Sequence, residues 1–445
     1  MLVSQISPPA GTRPAASNGS SLIGFIQAGT GAVARTVQSK LRESVSVLDF
    51  GADPTGVADS TIAIQNACNY AASNSRKTVY VPSGNYKVSS TIYSRNTNVT
   101  NGTTGCGIVG DGPFSTVFVP DGDFTVINFV SSYLPCGGFS IAWPLTAKAS
   151  IPNTRIGVEF CDGYNQVSQT KIQDIIVLYA YNSFLQRDWT GSPGGLGTMY
   201  VVDFERLISF RAADYGFKFS AVNNGSTTHR FSTCWANASA STGSYGGMGF
   251  YMSGINDLLF ENCAVDFCQD IAWNLQSGNQ ANLISCALES CFSLTDGTPL
   301  IQFTAISVAN VVGMKEIACT INIPGVSKKA YGIFAGSSCI CNVSGYARQA
   351  LTSTAGTLYK VGLNSESARI SVDRSVLFSE AFDNGWFTMI YYYGNRYSST
   401  GGIPTQGNNV QGEIVKNMAP AIGQPKGWVC TVSGSPGTWV SEGNL

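Results

Sequence analysis

Between Thr78 and Val88 apolar and polar positions alternate, pause at Pro82-Ser83-Gly84, and resume. That pattern predicts a strand, a tight turn and a second strand. Just upstream, Ile62, Ala63, Ile64, Ala67, Cys68 and Ala71 recur at helical spacing behind the N-cap region Asp59-Ser60-Thr61, which predicts one amphipathic helix. The stretch Ser46 to Gly56 reads as a strand running into a Gly/Pro/Asp turn. Farther on, Gly216 to Phe219, Gly249 to Met252 and Ile271 to Leu275 read as short apolar strands, and Val311 to Asn322, Tyr331 to Gly345 and Leu358 to Val372 continue them with Gly and Ser corners. The expected organisation is an arm over residues 1–44, holding a short polar helix at Ala32 to Glu43, then a β body over 45–374. A small C-terminal β region over 375–445 follows, where the alternation lapses and Asp383-Asn384-Gly385-Trp386 and Gly401-Gly402-Ile403-Pro404 look like turns.

Composition narrows the function. Only 12% of the 445 residues are charged and the formal net charge is −1, against about 25% charged in ordinary soluble domains. No basic excess is available to neutralise a phosphate backbone, so nucleic-acid binding by charge is not expected. The longest apolar run, Ile175 to Tyr181, is far short of the roughly 18–20 residues of a membrane-spanning helix, so no membrane insertion is expected. The N-terminus has neither a basic nor an apolar signal region, which predicts synthesis in a cytosol without export by that route. The 49 glycines, with Ser, Thr, Asn and Val plentiful, favour strands and turns. The 13 cysteines are odd in number, lie in apolar strings and lack paired C-x-x-C spacing, so they are read as buried free thiols, with no metal and no cofactor implied.

The string from Val47 to Val88 carries D-F-G-A, an acidic turn, a helix ending A-x-x-x-A, and V-Y-V-P-x-G-x-Y. It resembles the opening segment of the pectate-lyase-like, right-handed parallel β-helix superfamily. The preceding run Gly31 to Val45 is similar to the neck that introduces this fold in tailspikes and depolymerases of tailed bacteriophages, and Gly427-Trp428-Val429-Cys430 with Gly437-Thr438-Trp439 resembles a module near the C-terminal side of phage tail β-helices. Ala58-Asp59-Ser60 stands where many relatives have Thr-Asp-Asp. The resemblance implies an all-β, single-stranded right-handed parallel β-helix with one N-terminal capping helix, in a homotrimeric tailspike that acts from the virion tail on a polysaccharide of the host bacterial cell surface, capsule or O-antigen. The short arm would then attach to a tail or baseplate protein or to an adaptor.

A solenoid must place like residues above one another, coil after coil. Shifting Phe260 to Cys268 by 23 residues superposes Cys263 on Cys286, Asp266 on Glu289 and Cys268 on Cys291. A 29-residue shift brings Cys234 under Cys263 and Asn237 under Asp266, and Leu207 fits beneath Cys234. The cysteine ladder is expected to be core.

The same registration brings two acids together. Stacked strands lie about 4.8 Å apart, so Asp266 and Glu289 are the first candidates for a catalytic pair: one carboxyl kept protonated as general acid, the other as base or nucleophile. Asp257, Glu261 and Asp270 on the same coil are the reserve, and Asp203 with Glu205 is a further pair on one strand. The bland alternative is an acid ladder on a solvated face. Polysaccharide β-elimination would instead need a cation and a base from Arg206, Arg211, Tyr215, Lys218, His229 and Arg230. His229 is the sole histidine, a residue more often structural than functional when alone, and no G-x-S-x-G elbow accompanies it to suggest an esterase. Trp235, Tyr251, Trp273, His229, Arg230 and Asn237 are the expected glycan contacts, with Trp189, Tyr200 and Tyr245 also near the acidic coils, and some of these aromatics must instead be core or trimer contacts. The Gly-rich strings at Gly191 to Gly195, Ser241 to Gly249 and Gly107 to Gly112 read as loops or a turn, since no Lys-Ser/Thr follows to make a phosphate cradle. The competing class is a non-catalytic receptor-binding fibre.

Overall fold

A computed structural model describes residues 19–74, 77–99, 105–187, 197–221, 225–238, 248–269, 271–291, 299–317, 330–335, 339–345, 347–349, 359–363, 369–372, 389–392, 395–398, 402–405, 409, 411–417, 419–434 and 436–445. The body is a right-handed parallel β-helix in which each coil contributes strands to three faces. Successive strands of the first face include Val45–Ser46, Thr78–Val81 and Gly107–Gly110, and later Ser226–Ser232, Ile255–Glu261 and Ile340–Ser344. The second face holds Trp235–Asn237, Ala264–Asp266, Ala287–Glu289 and Lys315–Ile317 in turn. The third runs through Ile156–Phe160, Asn182–Gln186, Tyr215–Ser220 and Met248–Ser253.

Some strands serve two faces. Met199–Phe210 is one 12-residue strand that bends at Arg206, whose φ of 51° is left-handed. Asp174, Thr233, Asn262 and Ser285 hold the same conformation at the corresponding corner of other coils, and glycine takes it at Gly138, Gly313 and Gly345. A left-handed residue with a side chain costs about 1–2 kcal/mol, and the parallel ladder on both sides of the corner offsets that cost.

Inside, the repeat is close to literal. Phe204, Phe231 and Phe260 stack with centroids 4.6 and 4.9 Å apart. Phe184, Phe217, Phe250 and Trp273 form a second stack, spaced 4.9, 4.4 and 5.5 Å. The two stacks meet edge to face, as at Phe250 and Phe260, 5.2 Å apart and inclined by 71°, the geometry that ring quadrupoles favour. Beside them Leu207, Cys234, Cys263, Cys286 and Met314 form a buried column. The thiols of Cys234, Cys263 and Cys286 donate to the carbonyls of Phe204, Phe231 and Phe260 at 3.5, 3.3 and 3.5 Å, each one coil away. Every described cysteine is free and buried, as expected.

On the outside of the first face, Asn282, Asn310 and Asn342 form an amide ladder. Asn310 Nδ2 donates to Asn282 Oδ1 at 2.7 Å and Asn342 Nδ2 to Asn310 Oδ1 at 2.9 Å, while Asn282 Nδ2 donates to the Leu258 carbonyl at 3.4 Å.

The helix Thr61–Ser73 buries Ile64, Ala67, Cys68 and Ala71 in the same core as the first coils. Its N-terminal amide at Thr61 is taken by Asp59 Oδ1 at 2.9 Å, and Gln65 bridges to the backbone of Tyr93 in both directions. Two local expectations change. Val47–Phe50 is a 3-10 turn instead of strand, because Ser46 Oγ caps the Leu48 amide and Gly51 closes the turn at φ 89°. In the arm the helix shortens to Val37–Leu41, since Arg35–Thr36 pairs with Gly24–Phe25 as a strand.

At the C-terminal side, Arg369–Val372 pairs parallel with Met389–Tyr392, which pairs antiparallel with Asn395–Ser398, and that strand runs parallel to Ile414–Asn417. Ile414–Asn417, Gly427–Val432 and Thr438–Ser441 form an antiparallel sheet around Val415, Trp428, Cys430 and Trp439. Among the described residues no helix is long and apolar enough to cross a membrane.

Candidate functional site

The second face presents two outward columns. One reads Ile208, Trp235, Ala264, Ala287 and Lys315; the other reads Phe210, Asn237, Asp266, Glu289 and Ile317. Asp266 and Glu289 are therefore direct neighbours on adjacent coils, one strand spacing of about 4.8 Å apart at the backbone. Their environments differ. Asp266 is 8% exposed, whereas Glu289 is open to solvent. The Trp235 indole N–H donates to Asp266 Oδ2 at 2.6 Å. The ring reaches Asp266 diagonally, across Ala264, whose methyl group leaves the space open.

Burial raises the Asp266 carboxyl to about 6; the Trp235 bond holds it down and the charge of Glu289 adds to the rise. A carboxyl that keeps its proton near neutrality can donate it, and an exposed carboxylate one coil away can act as base or nucleophile.

Other expected residues sit elsewhere. Asn237 lies directly beneath Asp266 and is buried. Glu261 and Arg230 are on the first face and occupied with each other, Arg230 Nε standing 2.7 Å from Glu261 Oε2. Asp257 is at the corner before the first face, at φ 56°, and accepts from Thr227 Oγ1 at 3.2 Å. Tyr251 is on the third face, its ring 5.2 Å from that of Tyr215. Asp270, Trp189 and Tyr245 lie outside the described residues.

Two expected glycan contacts are corrected. His229 is 1% exposed and points inward, edge-on to Phe204 at 6.0 Å, and Trp273 is fully buried at the end of the aromatic stack. Neither can touch a ligand outside the solenoid. Burial also pulls the His229 imidazole down to about 4, so it is neutral at physiological pH.

The candidates for elimination chemistry are similarly engaged. Arg206 grips Asp174 with Nε at 2.6 Å and Nη2 at 2.8 Å and also contacts Glu205. Lys218 pairs with Asp214 at 2.9 Å. The Arg211 guanidinium stands 5.0 Å over the Phe210 ring.

Phe267 was missing from the expected set. It follows Asp266 at a left-handed corner with φ 56°, is 39% exposed, and its N–H donates to the Glu289 carbonyl at 2.9 Å. A corner residue belongs to no alternation, so only its place after Asp266 could have drawn attention to it.

With this geometry in view, residues 44–135 match the family described as rhamnogalacturonase A/epimerase, pectate lyase-like. The match covers the first coils, from Ser44 to Pro135. Its β-helix is similar to the gp42 tailspike of Acinetobacter phage vb_AbaP_AS12, at 12% identity and a TM-score of 0.50, over 80% of this chain and 64% of that one. It is equally similar to a double-mutant tailspike protein of E. coli bacteriophage HK620, at 11% identity and a TM-score of 0.50, over 84% of this chain and 69% of that one. At such identities the likeness is one of fold. No curated protein matches the sequence.

Proposed function

We propose that this pectate-lyase-like chain is a phage tailspike that binds and depolymerises a bacterial surface polysaccharide, capsule or O-antigen, by glycoside hydrolysis. Asp266 is the general acid and Glu289 the base or nucleophile. The observation that carries the assignment is the contrast within the pair: a nearly buried carboxyl raised to about 6 beside an exposed one on the next coil. Hydrolysis is preferred to elimination because Arg206, Lys218 and Arg230 are held by carboxylates and His229 is interior.

The rest of the tailspike reading goes with it: a homotrimer of β-helices over 45–374, a helix Thr61–Ser73 that caps the stack, a C-terminal trimer cap over 375–445, and an arm over 1–44 that docks on a tail, baseplate or adaptor protein at the virion. The arm leaves Leu22, Ile26, Val33 and Leu41 exposed, apolar groups that such a partner would cover.

The test is digestion of capsular and O-antigen polysaccharides in 18O-labelled water, read by mass spectrometry. Hydrolysis gives oligosaccharides carrying one labelled oxygen. Unlabelled products with a new double bond would assign elimination, and intact polymer that still binds would assign a receptor-binding fibre. Sizing by light scattering checks the trimer, and loss of capture by tail proteins on deleting residues 1–44 checks the arm.

A further inference from the structure

We propose that Phe267 is the stacking platform for a pyranose ring at the Asp266–Glu289 pair, its phenyl face against the sugar's C–H face. The inference rests on the glycan reading above.

Folding makes no specific demand for a phenyl ring at position 267, since Tyr179, Arg211 and Ser290 take the corresponding corner of other coils. The Phe267 φ of 56° belongs to the left-handed region, which Gly and Asn occupy most easily and a bulky side chain least. Ser290, one coil on, takes the corresponding corner at φ 50° with a small polar side chain, its N–H donating to the Ile317 carbonyl as Phe267 N–H donates to Glu289. The ladder therefore needs the backbone conformation and makes no demand for an aromatic ring. The residue keeps 39% of its surface exposed and is not a member of the hydrophobic core.

What the position does supply is proximity. Its Cα is one peptide link from Asp266, and its N–H is bonded to the backbone of Glu289, so the residue is held at the edge of the acid pair. Carboxylates take sugar hydroxyls; they offer nothing to the C–H face of the same ring. An exposed phenyl ring beside them does. The matching ligand is a hexose or deoxyhexose with one unsubstituted C–H face.

The test uses the full chain as Asp266→Asn, so that bound glycan is not cleaved. An array of bacterial capsular and O-antigen oligosaccharides selects the best-retained glycan, which is then titrated by calorimetry into Asp266→Asn, Asp266→Asn/Phe267→Asn and Asp266→Asn/Phe267→Trp. Phe267→Asn should weaken binding roughly tenfold, the effect of losing an apolar contact of about 50 Å², with a melting temperature equal or higher. Phe267→Trp should restore affinity. Unchanged affinity in Phe267→Asn, or weaker binding accompanied by a lower melting temperature or a changed oligomer, overturns the platform and leaves the glycan reading standing. No retained glycan on any variant sinks both.

Discussion

The same three coils carry two columns of opposite character. Inward, Cys234, Cys263 and Cys286 repeat one residue and one thiol-to-carbonyl bond at each level. Outward, a few positions along, the column reads Asn237, Asp266 and Glu289: the first step changes charge between two buried residues, and the second changes exposure between two acids. An inward residue must fit between its copies above and below, so stacking selects the same shape again and again. An outward residue is held by the same backbone ladder but meets solvent, so its chemistry is free to change per coil. The difference shows that the fold fixes where an outward side chain stands without fixing what it is.

Four measurements sharpen or break that separation. The largest effect is expected for Asp266→Asn, which should lower depolymerase turnover by about 10³-fold, the scale of a lost general acid, while the fold persists. Because the folded carboxyl titrates above its ordinary value, the native state holds extra protons between about pH 4 and 6 and loses stability as pH rises through that window. Neutral Asn should therefore leave the melting temperature at pH 7 unchanged or higher. A strong drop would mean that the outward column supports the fold after all.

Phe250→Ala attacks the other side. Its ring is sandwiched between Phe217 and Trp273, and denaturant unfolding should show a loss of roughly 3–5 kcal/mol, with turnover per folded molecule preserved.

His229 separates the columns by pH. Its folded value of about 4 lies below the ordinary 6.5, so the unfolded chain binds the proton more readily and stability falls as pH drops from 6.5 towards 4. Over that window the loss is roughly 3 kcal/mol. The stability profile of His229→Leu should be flatter by that amount, and an unaltered profile would place the imidazole in water.

The smallest effect concerns Trp235→Phe, which keeps the ring and removes the N–H bonded to Asp266. That bond favours the carboxylate, so its loss should move the alkaline limb of the kcat profile upward by about one pH unit. A raised KM with an unmoved limb would make Trp235 a sugar contact only.

Much of this is legible in the sequence. The 23- and 29-residue shifts appear in the structure as Ala264 paired with Ala287 and Trp235 with Ala264, and the Leu207 alignment as Ile208 paired with Trp235. Inward repetition made them visible. His229, expected at the surface because it follows the polar run Asn223 to Thr228, is interior: Thr228 is left-handed at φ 59°, and such a corner resets which alternate positions face inward. Carrying the shifts across the corners corrects both errors: 29 residues bring His229 to Leu258, and 23 bring Phe250 to Trp273, partners that are all interior. The inequality of Asp266 and Glu289 was not readable, since it depends on how far the surrounding coils bury one carboxyl and leave the other in solvent.

The asparagine ladder has a direction. Asn342 donates to Asn310, Asn310 to Asn282, and Asn282 to the Leu258 carbonyl, so every amide dipole points the same way along the solenoid axis. Aligned dipoles polarise one another, which makes the row a small electret on the outside of the first face. Its middle member both gives and receives, so removing the Asn310 amide cuts the row into two unconnected pieces, whereas removing Asn342 only shortens it.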